Sequence, residues 1–101
     1  MSLVLADGCF DPLHAGHISY LQAAADLGDE LMVRVASDED IYRKGRESLL
    51  SLSDRFLMVS QLRCVASVTV SETLEAAVRE HQPAFLAKGS DWRGKLPADV
   101  I

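Results

Sequence analysis

Between residues 8 and 17 the chain reads Gly8-Cys9-Phe10-Asp11-Pro12-Leu13-His14-Ala15-Gly16-His17, placing two glycines, a carboxylate and two histidines in one short stretch. Glycine removes the side chain where an anion must approach the backbone, and a histidine pair supplies hydrogen-bond donors or positive charge near neutral pH. The pattern suits a loop that closes on a phosphate. A strand-to-helix turn with incidental histidines is the alternative that residue types alone leave open.

Elements must hold those groups. The unbroken apolar run of residues 2–6 suits a central parallel strand covered on both faces, with residues 7–16 as the loop that follows. From about His17 the spacing of Ile18, Leu21 and Ala25 predicts a helix, with Gly28 as its C-terminal stop. That helix would point its N-terminal amides and positive dipole end at whatever the loop holds.

Residues 30–36 form a second strand, in which Arg34 demands a partner because an unpaired buried charge is costly. Pairing with a carboxylate is favoured over reaching the ligand edge of the sheet. Arg43-Lys44-Gly45-Arg46 follows, the densest positive charge in a chain of formal charge -5. Alone it reads as a solvated basic turn. After the second strand of an alternating fold it is better placed to meet phosphates, through the mobile charge of lysine and the bidentate fork of arginine.

Residues 51–64 read as a helix with an apolar stripe of Leu52, Phe56, Val59 and Leu62, and with Arg55 near a start where the dipole disfavours a cation unless an anion is close. A third strand at 65–70, a helix capped by Ser71 or Thr73 and ending near Gln82, and a fourth strand at 84–87 complete the pattern. Strands alternating with helices predict a parallel sheet with right-handed crossovers and a ligand at the carboxyl ends of the strands.

The bulk numbers bound the function. A chain of 101 residues, 49% hydrophobic and 25% charged, is one small globular domain with no run long enough to span a membrane. The N-terminus lacks the pattern of a signal peptide, so a cytoplasmic location is expected, with no membrane partner. The acidic balance argues against general nucleic-acid binding. Cys9 and Cys64 lack metal-ligand spacing and are expected to be reduced thiols.

The string GxFDxxHxGH after Leu3-Val4-Leu5 resembles the signature of the cytidylyltransferase-like nucleotidyltransferases (HxGH superfamily). The resemblance continues through Ser37-Asp38-Glu39, the turn with Lys44, the pair Asp54-Arg55 and Lys88-Gly89-Ser90-Asp91-Trp92. Two branches are most similar. Gly89-Ser90-Asp91-Trp92 with Gly94-Lys95 resembles the glycerol-phosphate cytidylyltransferases, whereas Lys88-Gly89 and Cys9-Phe10-Asp11 resemble the nucleotidyltransferase domain of ADP-heptose synthases. The first branch carries an acceptor-holding lysine where this chain has Leu74-Glu75-Ala76-Ala77.

The resemblance implies an α/β, Rossmann-like three-layer sandwich with a parallel sheet. It also implies transfer of a nucleotidyl group from CTP or ATP to a small phosphorylated acceptor with release of pyrophosphate, cytidylyl transfer being preferred. His14 and His17 would serve the α and β phosphates, and Lys44 and Arg46 the phosphates of donor and acceptor. Gly8, Cys9, Phe10 and Gly16 would form the backbone of the nucleotide site, with Cys9 as lining and not as a nucleophile. Asp11 would fix the loop or help place Mg2+, the expected cofactor.

Asp38 and Arg55 would lie on the acceptor side. Gly89, Asp91 and Trp92 would sit beside the base or ribose, although Trp92 also suits a hydrophobic plug. A homodimer is expected. Members of the family continue into a last strand and helix bearing a Ser/Thr-rich phosphate contact, so residues 1–101 are expected to be one nucleotidyltransferase domain that is incomplete at its C-terminus. The alternative is a non-catalytic nucleotide-binding module of the same fold. A class I aminoacyl-tRNA synthetase fragment fits less well, because the FD, KG and DW residues match the small transferases.

Overall fold

The structure is a computed structural model, and it describes residues 2–87. Its elements are β1 (Leu3–Gly8), α1 (Ala15–Ala25), β2 (Glu30–Val35), α2 (Asp38–Arg43), α3 (Leu52–Ser60), β3 (Ser67–Thr69), α4 (Leu74–His81) and β4 (Phe85–Ala87). The four strands are parallel in the order β3-β2-β1-β4. This is the alternating parallel architecture expected from the sequence, Rossmann-like in its layers.

Alternation along β1 explains those layers, because successive side chains leave a strand on opposite faces. Val4 and Ala6 join one buried cluster with Tyr20, Leu21 and Ala24 of α1 and Val59 of α3. Leu5 faces the other way and packs with Ala77 of α4 and Leu86 of β4. Both faces of β1 are therefore covered, which is why residues 3–6 are apolar without a break.

The register sets the working edge. Gly8 pairs with Val35, and Ala6 with Ala87, so β1, β2 and β4 end along one rim. The chain proceeds from β1 toward β3 on one side and returns to β4 on the other. The reversal falls between β1 and β4, the kind of crevice in which open α/β sheets bind ligands.

Several local expectations are corrected. α1 begins at Ala15 with His14 as its N-cap, two residues earlier than the apolar spacing suggests, and it is capped at its C-terminal end by Asp26 and not stopped by Gly28. Gly28 has a different reason to be glycine. A Cβ there would lie 2.8 Å from Val4 Cγ2 and 2.9 Å from Ser2 Oγ.

α2 occupies part of the stretch read as a basic turn. Ser37 Oγ accepts from the Asp40 amide, three acidic residues occupy its first turn, and Arg43 lies in its last. α3 ends at Ser60, and its buried residues are Arg55 and Val59, while Phe56 of the expected stripe is 38% exposed. β3 is confined to three residues, and Thr73, not Ser71, caps α4. Among the described residues no helix is long and apolar enough to cross a membrane.

Arg34 is 3% exposed and is fully engaged with protein. It donates to Asp7 Oδ1 at 2.7 Å, to Asp40 Oδ2, and to the carbonyls of Ser71 at 3.0 Å and Glu72 at 2.8 Å. Pairing with carboxylates, the favoured expectation, is what the fold uses. Burial works against this charge, but the hydrogen bonds and charges of Asp40 and Asp7 outweigh it and raise its pKa. The result ties the ends of β1 and β2 to α2 and to the chain entering α4.

Candidate functional site

The loop after β1 is shaped by close packing. Phe10 has φ of 54°, in the left-handed region that L residues rarely adopt, and its ring is buried. That ring lies over Gly8, where a Cβ would come within 2.8 Å of Phe10 Cζ. Its edge meets His17, with centroids 5.1 Å apart at 66°. Gly8 is glycine because the loop folds back onto it.

His14 and His17 cap α1 reciprocally. His14 Nδ1 accepts from the Gly16 amide at 3.0 Å, and His17 Nδ1 accepts from the His14 amide at 3.1 Å. This is the logic of the capping box with imidazoles in place of hydroxyl and carboxylate. Because each Nδ1 is an acceptor, each neutral ring carries its proton on Nε2, leaving two N–H donors at a helix N-terminus.

The rings lie 3.9 Å apart, tilted by 31°. Burial, and then the neighbouring His14, lower the His17 pKa and favour its neutral form. Gly16 is required here too, since a Cβ would lie 2.9 Å from His14 Cε1.

The basic turn meets this loop at Cys9. Lys44 Nζ lies 3.8 Å and Arg46 Nη2 3.5 Å from Cys9 Sγ, so both cations are drawn to the residue that follows β1. Gly45 between them has φ of 82°, a conformation suited to glycine. Asp11 completes the junction from the other side. Its two carboxylate oxygens accept from the amides of Leu49 and Leu50, each at 2.7 Å. Of the two roles expected for Asp11, the geometry supplies the fixing of the loop.

Arg55 requires a correction. Expected beside the acceptor, it is 0% exposed and donates to the carbonyls of Leu50 at 3.1 Å, Cys9 at 3.1 Å and Ala36 at 2.6 Å, and to Asp38 Oδ1 at 2.6 Å. It is the internal clamp of the site and not a wall open to ligand. Asp38 keeps 59% of its side chain exposed while anchoring this clamp.

Tyr20 was not singled out by the sequence. Its hydroxyl receives the Asp7 amide at 3.2 Å and donates to the Ala87 carbonyl, joining α1 to the ends of β1 and β4. A polar tip on an apolar helix stripe was the available signal. Burial, the largest cause, raises the pKa of this phenol.

The structure thus brings Gly8, Cys9, Phe10, Asp11, His14, Gly16, His17, Lys44 and Arg46 to one rim, with Asp38 at its border. Gly89, Asp91 and Trp92 lie outside the described residues. Among the described residues no three His, Cys, Asp or Glu side chains gather to hold a metal. Each Asp11 oxygen accepts one backbone amide, which engages the carboxylate in the loop without exhausting its lone pairs.

The model of the family described as cytidylyltransferase-like matches residues 5–99. The chain belongs to the cytidylyltransferase-like family. Within it, the chain is 43% identical over 97 residues to the bifunctional protein HldE of Wolinella succinogenes, covering 92% of this chain and 20% of that protein. It is 39% identical over 95 residues to the D-beta-D-heptose 1-phosphate adenylyltransferase of Bordetella bronchiseptica, covering 89% and 59% respectively.

The chain therefore spans about a fifth of the length of the bifunctional relative and somewhat over half of the other. Among solved structures it is similar to the lipopolysaccharide core biosynthesis protein of Thermoplasma volcanium. The TM-score is 0.82 at 34% identity, over 85% of this chain and 72% of that one.

Proposed function

We propose that this cytidylyltransferase-like domain transfers an adenylyl group from ATP to the phosphate of a heptose 1-phosphate or closely related sugar phosphate, releasing pyrophosphate. An acceptor phosphate oxygen forms a bond to the α-phosphorus as the bond to the leaving pyrophosphate breaks in line. Such transfers need positioning and charge stabilisation more than covalent help from the protein. The resemblance in the sequence favours cytidylyl transfer; the name of the Bordetella bronchiseptica relative favours adenylyl transfer and a heptose 1-phosphate acceptor.

The observation that carries the proposal is the reciprocal histidine cap, which leaves two Nε2–H donors at the amino end of α1. In this reading they donate to the α and β phosphate oxygens, while Lys44 and Arg46 balance the charge of donor and acceptor phosphates. The amides of Cys9 and Phe10 line the nucleotide side, and Gly89, Asp91 and Trp92 receive the base or ribose. Magnesium belongs to the same proposal: held by triphosphate oxygens and water, it would neutralise charge that the protein's own cations leave unbalanced.

Pyrophosphate release by the full-length protein, measured with ATP, CTP, GTP and UTP against heptose 1-phosphate, glycerol 3-phosphate and ribitol phosphate, tests the reading. ATP with heptose 1-phosphate should be the fastest pair and should require magnesium. Equal rates with CTP would overturn the choice of donor. Nucleotide binding without release for any pair would mark a non-catalytic module.

A further inference from the structure

Beside the phosphate site, two open cavities of about 510 and 300 Å³ share Tyr42, Arg46 and Glu47 as a common wall, and the smaller one reaches Asp38 and Ser48. Arg46 belongs to both regions. Its guanidinium lies 3.5 Å from Cys9 Sγ on the histidine loop, and the same side chain lines the groove. A ligand whose phosphate is held at Arg46 therefore has the groove as the space available for its remaining atoms.

The lining discriminates by charge. Asp38 and Glu47 repel a second polyphosphate but accept hydrogen bonds from hydroxyl groups, and Ser48 can donate or accept. Tyr42, 75% exposed, offers a ring face against which the carbon side of a sugar can lie. A cation at one end, carboxylates along the wall and an exposed aromatic form a combination suited to a polyhydroxylated chain with one phosphate. The cavities also exceed what a three-carbon acceptor would fill.

We infer that this groove is the acceptor's sugar subsite, with Tyr42 and Glu47 selecting a sugar phosphate of six or seven carbons over glycerol phosphate. The inference rests on the nucleotidyl-transfer reading for its biological use, but binding tests it without turnover. Both residues are exposed, so Tyr42→Ala and Glu47→Ala leave the core intact.

Calorimetric titration of heptose 1-phosphate into full-length wild-type protein and the two variants reads the groove, and KM values from pyrophosphate release read the reaction. Each substitution removes a contact of the order of one hydrogen bond, so the Kd and KM for heptose 1-phosphate should rise about five- to tenfold. The KM for ATP and the Kd for glycerol 3-phosphate should change less than about twofold, within the range of neutral surface substitutions. Unchanged heptose 1-phosphate affinity in both variants, no binding to wild type, or a rise in the ATP KM instead would overturn the subsite. Binding that weakens as expected in a protein that releases no pyrophosphate would uphold the groove and overturn the transferase reading.

Discussion

His17 Nδ1 accepts the backbone amide of His14 at 3.1 Å, while His14 Nδ1 accepts the amide of Gly16, so each imidazole is held by the ring nitrogen that faces the helix. One arrangement thus serves local structure and chemistry. It satisfies amides that a helix start leaves unpaired, and it assigns the remaining proton of each ring to Nε2.

The cap makes stability depend on pH. His17 has a folded-state pKa below its ordinary value of 6.5, because burial and His14 disfavour the charged form. As pH falls through 6.5 the unfolded chain takes up this proton first, so the contribution is complete above that value and declines toward the lowered folded pKa. Denaturant titrations from pH 5 to 8 should show stability rising with pH in this window, with a shallower slope in His17→Gln. Identical slopes would contradict the assignment.

Gly16→Ala tests the contact between glycine and imidazole. The new Cβ would lie 2.9 Å from His14 Cε1 and 3.1 Å from His14 Nδ1, so the ring must move and give up the Gly16 amide. Loss of this cap should cost about 1 kcal/mol in denaturant unfolding. Displacement of the His14 donor should lower the rate of pyrophosphate release about tenfold or more, since misplacement near 1 Å can cost up to about a hundredfold. Wild-type stability and rate together would show that the ring is not held this way.

Asp11→Ala distinguishes a structural carboxylate from a metal ligand. It leaves the Leu49 and Leu50 amides without their charged acceptor, and should destabilise the protein by about 1.5–3 kcal/mol. The magnesium concentration giving half-maximal pyrophosphate release should match that of wild type. A large increase in that concentration would instead place Asp11 on the metal.

Arg55 yields the largest expected loss of stability. Arg55→Met leaves three carbonyl acceptors without their donor around a fully buried position, and each orphaned buried acceptor costs about 1–3 kcal/mol. Thermal and denaturant unfolding should both report it. An Arg55→Lys protein of native stability with a raised acceptor KM would return this residue to the substrate side.

The contrast between Arg55 and its neighbours explains what was legible in the sequence. β1, β2 and the loop between β1 and α1 could be read because apolar runs and glycines state their requirements locally. Arg55 shares a helix face with Leu52 and Val59, but a hydrophobic pattern has no place for a buried guanidinium, and Phe56 was assigned to the stripe instead. α2 spans six residues, and its signal was the short cap from Ser37 to Asp40 beside a more conspicuous basic cluster. The tie from Asp11 to Leu49 and Leu50 bridges residues distant in sequence through backbone amides, which side-chain identities do not report.

His17→Asn, assayed for pyrophosphate release from ATP with heptose 1-phosphate, tests the central claim most directly. Asparagine can keep an acceptor for the His14 amide at Oδ1 while removing the Nε2–H donor. Stability should stay within about 1 kcal/mol of wild type, the spread expected when one cap acceptor replaces another. The rate constant kcat should fall about a hundredfold or more, as when a donor to developing charge is lost. A His17→Asn protein that folds normally and retains kcat within about threefold of wild type would contradict the claim that this imidazole acts on the transferring phosphates.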